Sequence, residues 1–213
     1  MDKSFAPVSI VGRVPLVVAV GPSVKAATLG EFIAAAKGKP GSLNYGSSGN
    51  GSPQHLAAEL FKRQAGVSIT HIPYKGSAPA LNDLMGGQVD VVFDTLPATQ
   101  AFIKGGRLRA LAIATAQRNG AIADVPTATE AGLKGFEVSS MFGVLAPAAT
   151  PPAVIARLSA ALKEVMATPE VKDALAAQGA AATYTSPDEA RAAIRDEVAR
   201  WSKIVREAGI KPD

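Results

Sequence analysis

Cysteine is absent from this 213-residue sequence, and histidine occurs only twice, as His55 and His71. The lack of cysteine excludes disulfides, thiolate nucleophiles and cysteine-ligated zinc, and it fits either the cytoplasm or an oxidising compartment. Two histidines are few for a histidine-based metal site. The sequence therefore predicts a protein that uses no metal and no other cofactor.

An excess of one charge and a long apolar run are also missing. The 22 Lys and Arg residues against 18 Asp and Glu leave a net charge of +4, and the basic residues are scattered. Nucleic acid is therefore not an expected partner. No apolar run approaches the roughly 20 residues that cross a membrane, and we expect no secretion signal at Met1. With 47% hydrophobic residues, the chain can bury a core as one large or two small domains.

Between residues 43 and 115, short apolar runs alternate with helical patterns. The pattern predicts strands at 43–46, 68–72, 89–93 and 108–115, and helices at 53–65, 78–86 and 97–104. Glycines stand where each helix is expected to end. Repeated βα units predict an α/β fold with a mostly parallel sheet and right-handed crossovers. In such a sheet a ligand binds beyond the carboxyl ends of the strands.

Extended apolar segments flank this block. Residues 8–20 are β-branched and apolar, which predicts a strand that is buried on both faces and interrupted at Pro15. Residues 138–146 form a second such segment, and we expect it to pair with residues 14–20 where the chain crosses between two lobes. Thr28 and Glu31 form a capping box for a helix that continues to about Ala36.

The tail is predicted to be helical, with starts at Thr150, at Thr168 and at the capping box of Ser186 and Glu189. The apolar residues of its first and last helices recur at helical spacing, so we expect them to be buried. These residues are Val154, Ile155, Leu158, Leu162, Val165 and Met166 in the first helix, and Ala190, Ile194, Val198, Trp201 and Val205 in the last.

The segment from Leu43 to His55 combines a short strand, a glycine- and serine-rich turn and a helix start. Ser52 suits the N-cap and Pro53 the first helical position. Unpaired amides and the partial positive charge of a helix start favour a carboxylate or phosphate oxygen. The loop matches neither the dinucleotide fingerprint, nor the P-loop, nor the nucleophile elbow. A neutral, hydroxyl-rich loop suits a small carboxylate; the alternative is a tight turn without a ligand.

Three segments are expected to meet at the carboxyl ends of the strands. Their candidate ligand contacts are Ser47, Ser48, Gly49, Asn50, Gly51, Ser52, Tyr74, Asp94 and Thr95. Asp94 would repel a carboxylate, so capping the next helix is its favoured role, and neutral Thr95 is the better donor. We expect His55 to be a packed, hydrogen-bonded histidine and Lys75 to be solvated. No base is evident beside the serines, so no catalytic residue is predicted.

Five runs stand out in chain order: LNYGSSGNGSPQHLAAELF, THIPYKGSAPALNDLMGGQVDVVFDTLPA, LRALAIAT, DVPTATEAGLKGFEVSSMFGVLAPAATP and WSKIVREAGIKPD. Together they resemble the Bug-type solute-binding proteins of tripartite tricarboxylate transporters. The resemblance implies a type II periplasmic binding-protein fold, with two α/β lobes around a ligand cleft. It implies a small organic carboxylate as ligand, bound by main-chain amides, hydroxyls and ordered waters. Full-length relatives are implied to be periplasmic and to dock on membrane permease subunits.

One departure from the family is large. The resemblance implies that relatives begin with a signal peptide and several βα units of the first lobe, and we expect this sequence to lack both. We therefore predict a complete second lobe at 21–137, with the anion-binding loop, and a remnant of an incomplete first lobe at 1–20 and 138–213. Met141, where relatives often carry an aromatic residue at the cleft wall, is a further ligand candidate.

The predicted truncation leaves alternatives open. The chain is either a binding protein or a lobe without transport competence, and an α/β enzyme acting on a carboxylate is a third, less favoured reading. An apolar surface on the first-lobe remnant predicts a homo-oligomer.

Overall fold

The structure is a computed structural model that describes residues 4–210. The chain divides into two compact units. Unit 1 comprises the residues up to Val14 together with Met141–Ser202, and unit 2 comprises Pro15–Ser140 together with the residues from Lys203 onward. The lobe boundaries predicted from the sequence stay a prediction.

The strands and helices follow one another as a βα succession with a helical tail. In chain order they are β1 (Phe5–Val20), α1 (Leu29–Gly38), β2 (Asn44–Ser47), α2 (Pro53–Ala65), β3 (Thr70–Pro73), α3 (Ser77–Gly86), β4 (Val91–Thr95), α4 (Leu96–Lys104), β5 (Arg109–Ile113), a 3₁₀ turn (Gly120–Ile122), β6 (Ser139–Pro147), α5 (Pro152–Ala167), α6 (Pro169–Ala177), β7 (Ala181–Ala182) and α7 (Pro187–Ala208). Between residues 43 and 115 these bounds confirm the predicted alternation to within two residues. In the described part of the chain, every helix is too short or too polar to cross a membrane.

The sheet of unit 2 has the strand order β3-β2-β4-β1-β5. β2 pairs in parallel with β3 and with β4, whereas β1 runs antiparallel to β4 and to β5. Four of these five strands therefore point the same way, which confirms a mixed but mostly parallel sheet. Beyond this path, β6 and β7 both pair with β1, so the two extended apolar segments do pair. The predicted partner range of 14–20 was wrong for residues 17–20, because β4 and β5 occupy both edges of the strand there.

The predicted interruption at Pro15 was wrong, because β1 is continuous from Phe5 to Val20. The ladders with β4 and β5 begin at Leu16 and Val17, and the ladder with β7 covers Gly12 and Arg13. Pro15 lies between these ladders, so its missing amide breaks neither of them. From Val14 to Val20 every residue of the strand is buried, as predicted, whereas Arg13, within the range of 8–20 that was predicted to be buried, is exposed.

Helix starts follow the local sequence closely. Thr28 Oγ1 accepts the Glu31 amide at 3.2 Å, and Ser186 Oγ accepts the Glu189 amide at 3.3 Å, which confirms both predicted capping boxes. The predicted cap at Thr150 was wrong. Pro151 is the N-cap of α5 and provides no side-chain hydrogen bond, because its ring carries no polar side-chain atom.

An aromatic cluster forms part of the core of unit 2. Phe93 of β4 lies 5.0 Å from Phe61 of α2 and 6.2 Å from Phe136, as measured between ring centroids. Phe61 and Phe136 meet edge to face at 5.7 Å. All three rings are buried. Such tilted contacts stabilise the packing of α2 on the sheet and thereby hold the helix start that follows the predicted loop.

Unit 1 exposes much of the apolar surface that was predicted to be buried. Val154, Leu158 and Val165 of α5 are 44%, 42% and 50% exposed, and Val198 of α7 is 53% exposed. Periodicity identified the apolar faces correctly, but no described element packs over these positions. Trp201, predicted as core, is only half-buried, and its indole N–H donates to Glu197 at 2.7 Å.

Candidate anion-binding site

The carboxyl ends of β2, β3 and β4 lie at one edge of the unit 2 sheet. Ser47 of β2 is in register with Pro73 of β3, and the Tyr74 amide donates to the Ser47 carbonyl at 3.0 Å. Asp94 and Thr95 end β4, which pairs with β2 on its other side. Two parallel neighbours place their loops at the same edge. The three segments predicted to converge are therefore brought together.

The Ser47–Ser52 loop depends on two glycines with positive φ. Gly49 has φ 130° and Gly51 has φ 70°, which side chains larger than hydrogen rarely adopt. A Cβ on Gly49 would lie 3.4 Å from the carbonyl oxygen of Tyr74. The loop thus passes close to the backbone that follows β3, and Ser52 caps α2 by accepting the His55 amide at 3.3 Å.

Several amides of the loop already have partners within the protein. The Gly49 amide donates to Ser47 Oγ at 3.2 Å, the Gly51 amide to His55 Nδ1 at 3.1 Å, and the Ser52 amide to the Gly49 carbonyl at 3.3 Å. The expected row of unpaired donors is therefore shorter than predicted. For the amides of Ser48 and Gln54 no acceptor is found among the described residues, which makes these two the candidate donors to an anion.

Gln54, which sequence reasoning missed, links the three segments. Its Nε2 donates to Asp94 Oδ1 at 3.0 Å and to Ser77 Oγ at 3.2 Å, while its Oε1 accepts from Ser48 Oγ at 2.9 Å. The side chain is buried, so these bonds satisfy its amide away from water. A polar residue in the first turn of a helix beside a predicted ligand loop is the signal that could have identified it.

Asp94 is buried, with 2% of its surface exposed, and is not the N-cap predicted for it. Thr95 is the N-cap of α4, without a side-chain cap bond. Asp94 Oδ1 instead accepts the Thr95 amide at 2.7 Å and Gln54 Nε2. These two N–H donors partly offset the negative charge of the Asp94 carboxylate, so its repulsion of a negative ligand nearby is weaker. The Thr95 hydroxyl stays a candidate donor.

The two histidines lie directly behind the loop. His55 is 7% exposed and accepts the Gly51 amide, which confirms it as a packed, hydrogen-bonded residue. The role of His71 was missed: its Nε2 lies 2.6 Å from Ser47 Oγ, and its ring stacks on Tyr45 at 4.8 Å. Burial, and next the charge of His55, lower the pKa of His71 to about 4. Burial also lowers the pKa of His55. Both rings are therefore neutral at pH 7.

The contact between Ser47 and His71 places a base beside a serine, which the sequence did not reveal. Only 1% of Ser47 is exposed, so its hydroxyl has no access to a substrate. The hydroxyl also lies 3.1 Å from the Gly49 carbonyl, to which it can donate. A nucleophile must reach the atom it attacks. The pair consequently acts in this structure as a support for the loop.

Tyr74 and Met141 take part in other contacts. The Tyr74 hydroxyl donates to Asp83 at 2.7 Å, and burial together with Asp83 raises the pKa of this phenol to about 12. The Tyr74 hydroxyl therefore already has a hydrogen-bond partner within unit 2. Met141 belongs to unit 1, where its sulfur accepts from Arg13 Nη2 at 3.7 Å. Lys75 is exposed, in keeping with a solvated side chain.

A cavity of about 930 Å³ lies elsewhere in unit 2, beside the amino end of β5. It is lined by the start of α1 and by parts of 106–111 and 124–131, but by none of the predicted site residues. Its wall carries Glu130, which pairs with Arg118, and Arg109, which donates to the Ala26 carbonyl at 3.0 Å. A second arginine of the wall, Arg107, lies over the Phe102 ring at 5.2 Å. Since both arginines already have partners and the wall also carries Asp124 and Glu130, this cavity is a poor place for a carboxylate.

No group of three or more His, Asp or Glu side chains in the described residues is arranged to hold a metal ion. The strand order, the mostly parallel direction and the loops at the carboxyl edge define an α/β fold with a candidate ligand site beyond the carboxyl ends of its strands. A scan against family models matches residues 2–210 to TctC, the tripartite tricarboxylate transporter family receptor. The chain belongs to this family.

Two curated relatives are longer than this chain. It is 41% identical to protein BugT of Bordetella pertussis over 209 residues, which are 98% of this chain and 64% of BugT. It is 35% identical to a UPF0065 protein from the tcbD-tcbE intergenic region of Pseudomonas sp. strain P51, covering 97% of this chain and 62% of that protein. The chain thus spans less than two thirds of the length of these relatives.

Solved structures resemble the whole chain. The R. palustris protein Rpa4515 with adipate is 37% identical with a TM-score of 0.93, over 99% of this chain and 71% of that chain. MatC (Rpa3494) from Rhodopseudomonas palustris with bound malate is 31% identical with a TM-score of 0.87, over 96% and 70%. These matches confirm the predicted family and the predicted fold class.

Proposed function

We propose that this chain is the whole or a part of an extracytoplasmic solute receptor that binds a small organic carboxylate. Family membership and the helix start at Ser52 together support this proposal. The amides of Ser48 and Gln54 and the hydroxyl of Thr95 are the proposed donors. The remaining predicted contacts of unit 2 are part of the proposal as shaping residues: Ser47, Gly49, Asn50, Gly51, Ser52, Tyr74 and Asp94. Met141 of unit 1 stays a separate prediction. No bond of the ligand is made or broken.

The ligand proposed is a small dicarboxylate. Two similar structures hold adipate and malate, and both molecules carry two carboxylates on a short carbon chain. A neutral loop of amides and hydroxyls can accept one such group without the desolvation of a charged side chain. We further propose that the receptor works in the periplasm and delivers its ligand to membrane permease subunits of a tripartite tricarboxylate-type transporter.

Calorimetry with a panel of di- and tricarboxylates, aromatic acids and acidic amino acids tests the binding function. Asn50→Asp places a negative charge on the exposed loop and should weaken carboxylate binding roughly tenfold. Asn119→Asp adds the same charge at a turn elsewhere in unit 2 and should leave binding unchanged. A folded sample that shows no heat of binding with any acid of the panel contradicts the proposal. So does an Asn50→Asp variant that binds like the wild type.

The exposed apolar face of unit 1 favours a second candidate, a lobe that associates with a second copy. Val154, Leu158 and Val165 of α5 and Val198 of α7 are exposed, and solvent contact of so many large apolar side chains favours association. Light scattering at high concentration should then reveal a dimer or a larger oligomer. Leu158→Lys should shift the protein toward monomer, whereas Ala160→Lys, at an exposed position of the same helix, should not. A sharp wild-type monomer peak argues against this candidate.

A further inference from the structure

The orientation of the Gln54 side-chain amide is dictated by Asp94. Asp94 Oδ1 accepts the Thr95 main-chain amide at 2.7 Å, so this oxygen acts as an acceptor. The group of Gln54 that faces it at 3.0 Å must therefore be the NH₂, because two acceptors would repel each other. The carbonyl oxygen of Gln54 consequently points the other way, toward Ser48.

The orientation of Gln54 in turn fixes the hydroxyl of Ser48. Gln54 Oε1 can only accept, so Ser48 Oγ must donate its single proton across the 2.9 Å contact. If Ser48 turned its proton toward a ligand, the carbonyl oxygen of a buried glutamine would lose that partner. Leaving a buried acceptor unsatisfied is costly. Ser48, which is half-buried, therefore offers its lone pairs to a ligand and not its proton.

We propose that Asp94, Gln54 and Ser48 form a relay that makes the loop selective for carboxylates carrying a hydrogen-bond donor, such as a hydroxyl group. The inference rests on the proposed carboxylate-binding function and adds the substrate class. The main-chain amides of Ser48 and Gln54 hold the carboxylate, while Ser48 Oγ accepts from the donor of the same ligand. Ser48 is the specificity-determining residue, and Gln54 and Asp94 position it.

A matched pair of ligands tests this relay, namely malate and succinate, which differ by one hydroxyl. The wild type should bind malate roughly tenfold more tightly than succinate in calorimetry, as one hydrogen bond allows. Ser48→Ala removes the acceptor and should bring the ratio of the two affinities close to one. Ser48→Thr restores a hydroxyl and should restore the preference. Ser42→Ala, which removes an exposed hydroxyl ahead of β2, should keep the wild-type ratio.

The outcomes separate this inference from the function on which it rests. Equal wild-type affinity for malate and succinate overturns the relay but leaves carboxylate binding in place. A malate preference that survives in Ser48→Ala, with a melting curve like that of the wild type, also overturns it. If the folded wild type binds neither malate, nor succinate, nor any acid of the wider panel, the proposed function and the relay are both overturned.

Discussion

The imidazole rings of His55 and His71 stack with their centroids 3.9 Å apart and their planes inclined by 24°. His55 Nδ1 accepts the Gly51 amide, and His71 Nε2 contacts Ser47 Oγ, so the pair supports both ends of the candidate loop. A proton on His55 Nδ1 would remove the lone pair that Gly51 needs. Two protonated rings at this distance would also repel each other. The loop is thus built on two neutral histidines.

This arrangement predicts that stability falls in mild acid. The pKa of His71 is lowered from 6.5 to about 4, because burial and the charge of His55 disfavour the imidazolium. The unfolded chain then binds a proton between pH 6.5 and 4 that the folded chain does not bind. The contribution of His71 to stability is fully present above pH 6.5 and is lost as the pH falls toward 4. Urea unfolding across pH 4–8 measures this loss.

A matched variant isolates the histidine from the carboxylates that also titrate in this range. Glu59 and Lys62 of α2 face the pair, and their opposite effects on its pKa are part of the wild-type behaviour. His71→Gln keeps a polar side chain beside Ser47 but cannot titrate. We expect a shallower decline of its unfolding free energy between pH 6.5 and 4. Identical slopes in the two proteins would exclude His71 as the source.

Gly21→Ala should destabilise unit 2. A Cβ at this position would lie 2.2 Å from the carbonyl oxygen of Leu84 and 3.2 Å from its carbonyl carbon. Backbone atoms cannot move aside as a flexible side chain can, so we expect a loss of about 1–3 kcal/mol in the free energy of unfolding. Gly86→Ala is the control, because nothing lies within 4 Å of its Cβ. Equal denaturation midpoints for the two variants would contradict this steric explanation.

Ser52→Ala should cost about 1 kcal/mol of unfolding free energy, the usual loss of an N-cap. Ser52 Oγ accepts the His55 amide, and alanine leaves this donor without its partner. Thr95 is also an N-cap but makes no side-chain cap bond, so Thr95→Ala should change stability by less than about 0.5 kcal/mol. Chemical denaturation of both variants provides the comparison. A larger loss for Thr95→Ala would show that the Ser52 cap bond is not the stabilising feature.

Tyr45→Phe should destabilise the protein more than Tyr74→Phe. The Tyr45 hydroxyl donates to Glu59 at 2.8 Å, and both side chains are buried. Losing a buried hydrogen bond to a charged acceptor costs about 1.5–3 kcal/mol. The hydroxyl of Tyr74 donates to Asp83 from a half-buried position, where water can replace it, so we expect less than about 1 kcal/mol. Equal losses of unfolding free energy in the two variants would mean that burial does not strengthen the hydrogen bond between Tyr45 and Glu59.

Local signals determined much of the secondary structure. The capping boxes at Thr28 and Ser186 and the N-cap at Ser52 all form as predicted. A cap joins residues three positions apart, so its partners are visible in the sequence. The βα alternation was likewise predictable, because the spacing of apolar residues differs between strands and helices. The candidate loop was identified because a strand end, small residues and a helix start follow one another directly.

Contacts between distant residues were decided only by the tertiary structure. Gln54 and Asp94 are 40 residues apart in the sequence, and Ser47 and His71 are 24 apart, so no local pattern predicts either contact. These contacts determine which amides of the loop stay available and which way the Ser48 hydroxyl points. The sequence by itself identified the apolar face of α5, but only the fold could decide whether another element covers it. Periodicity reports the chemistry of a helix face, whereas burial depends on what packs against that face.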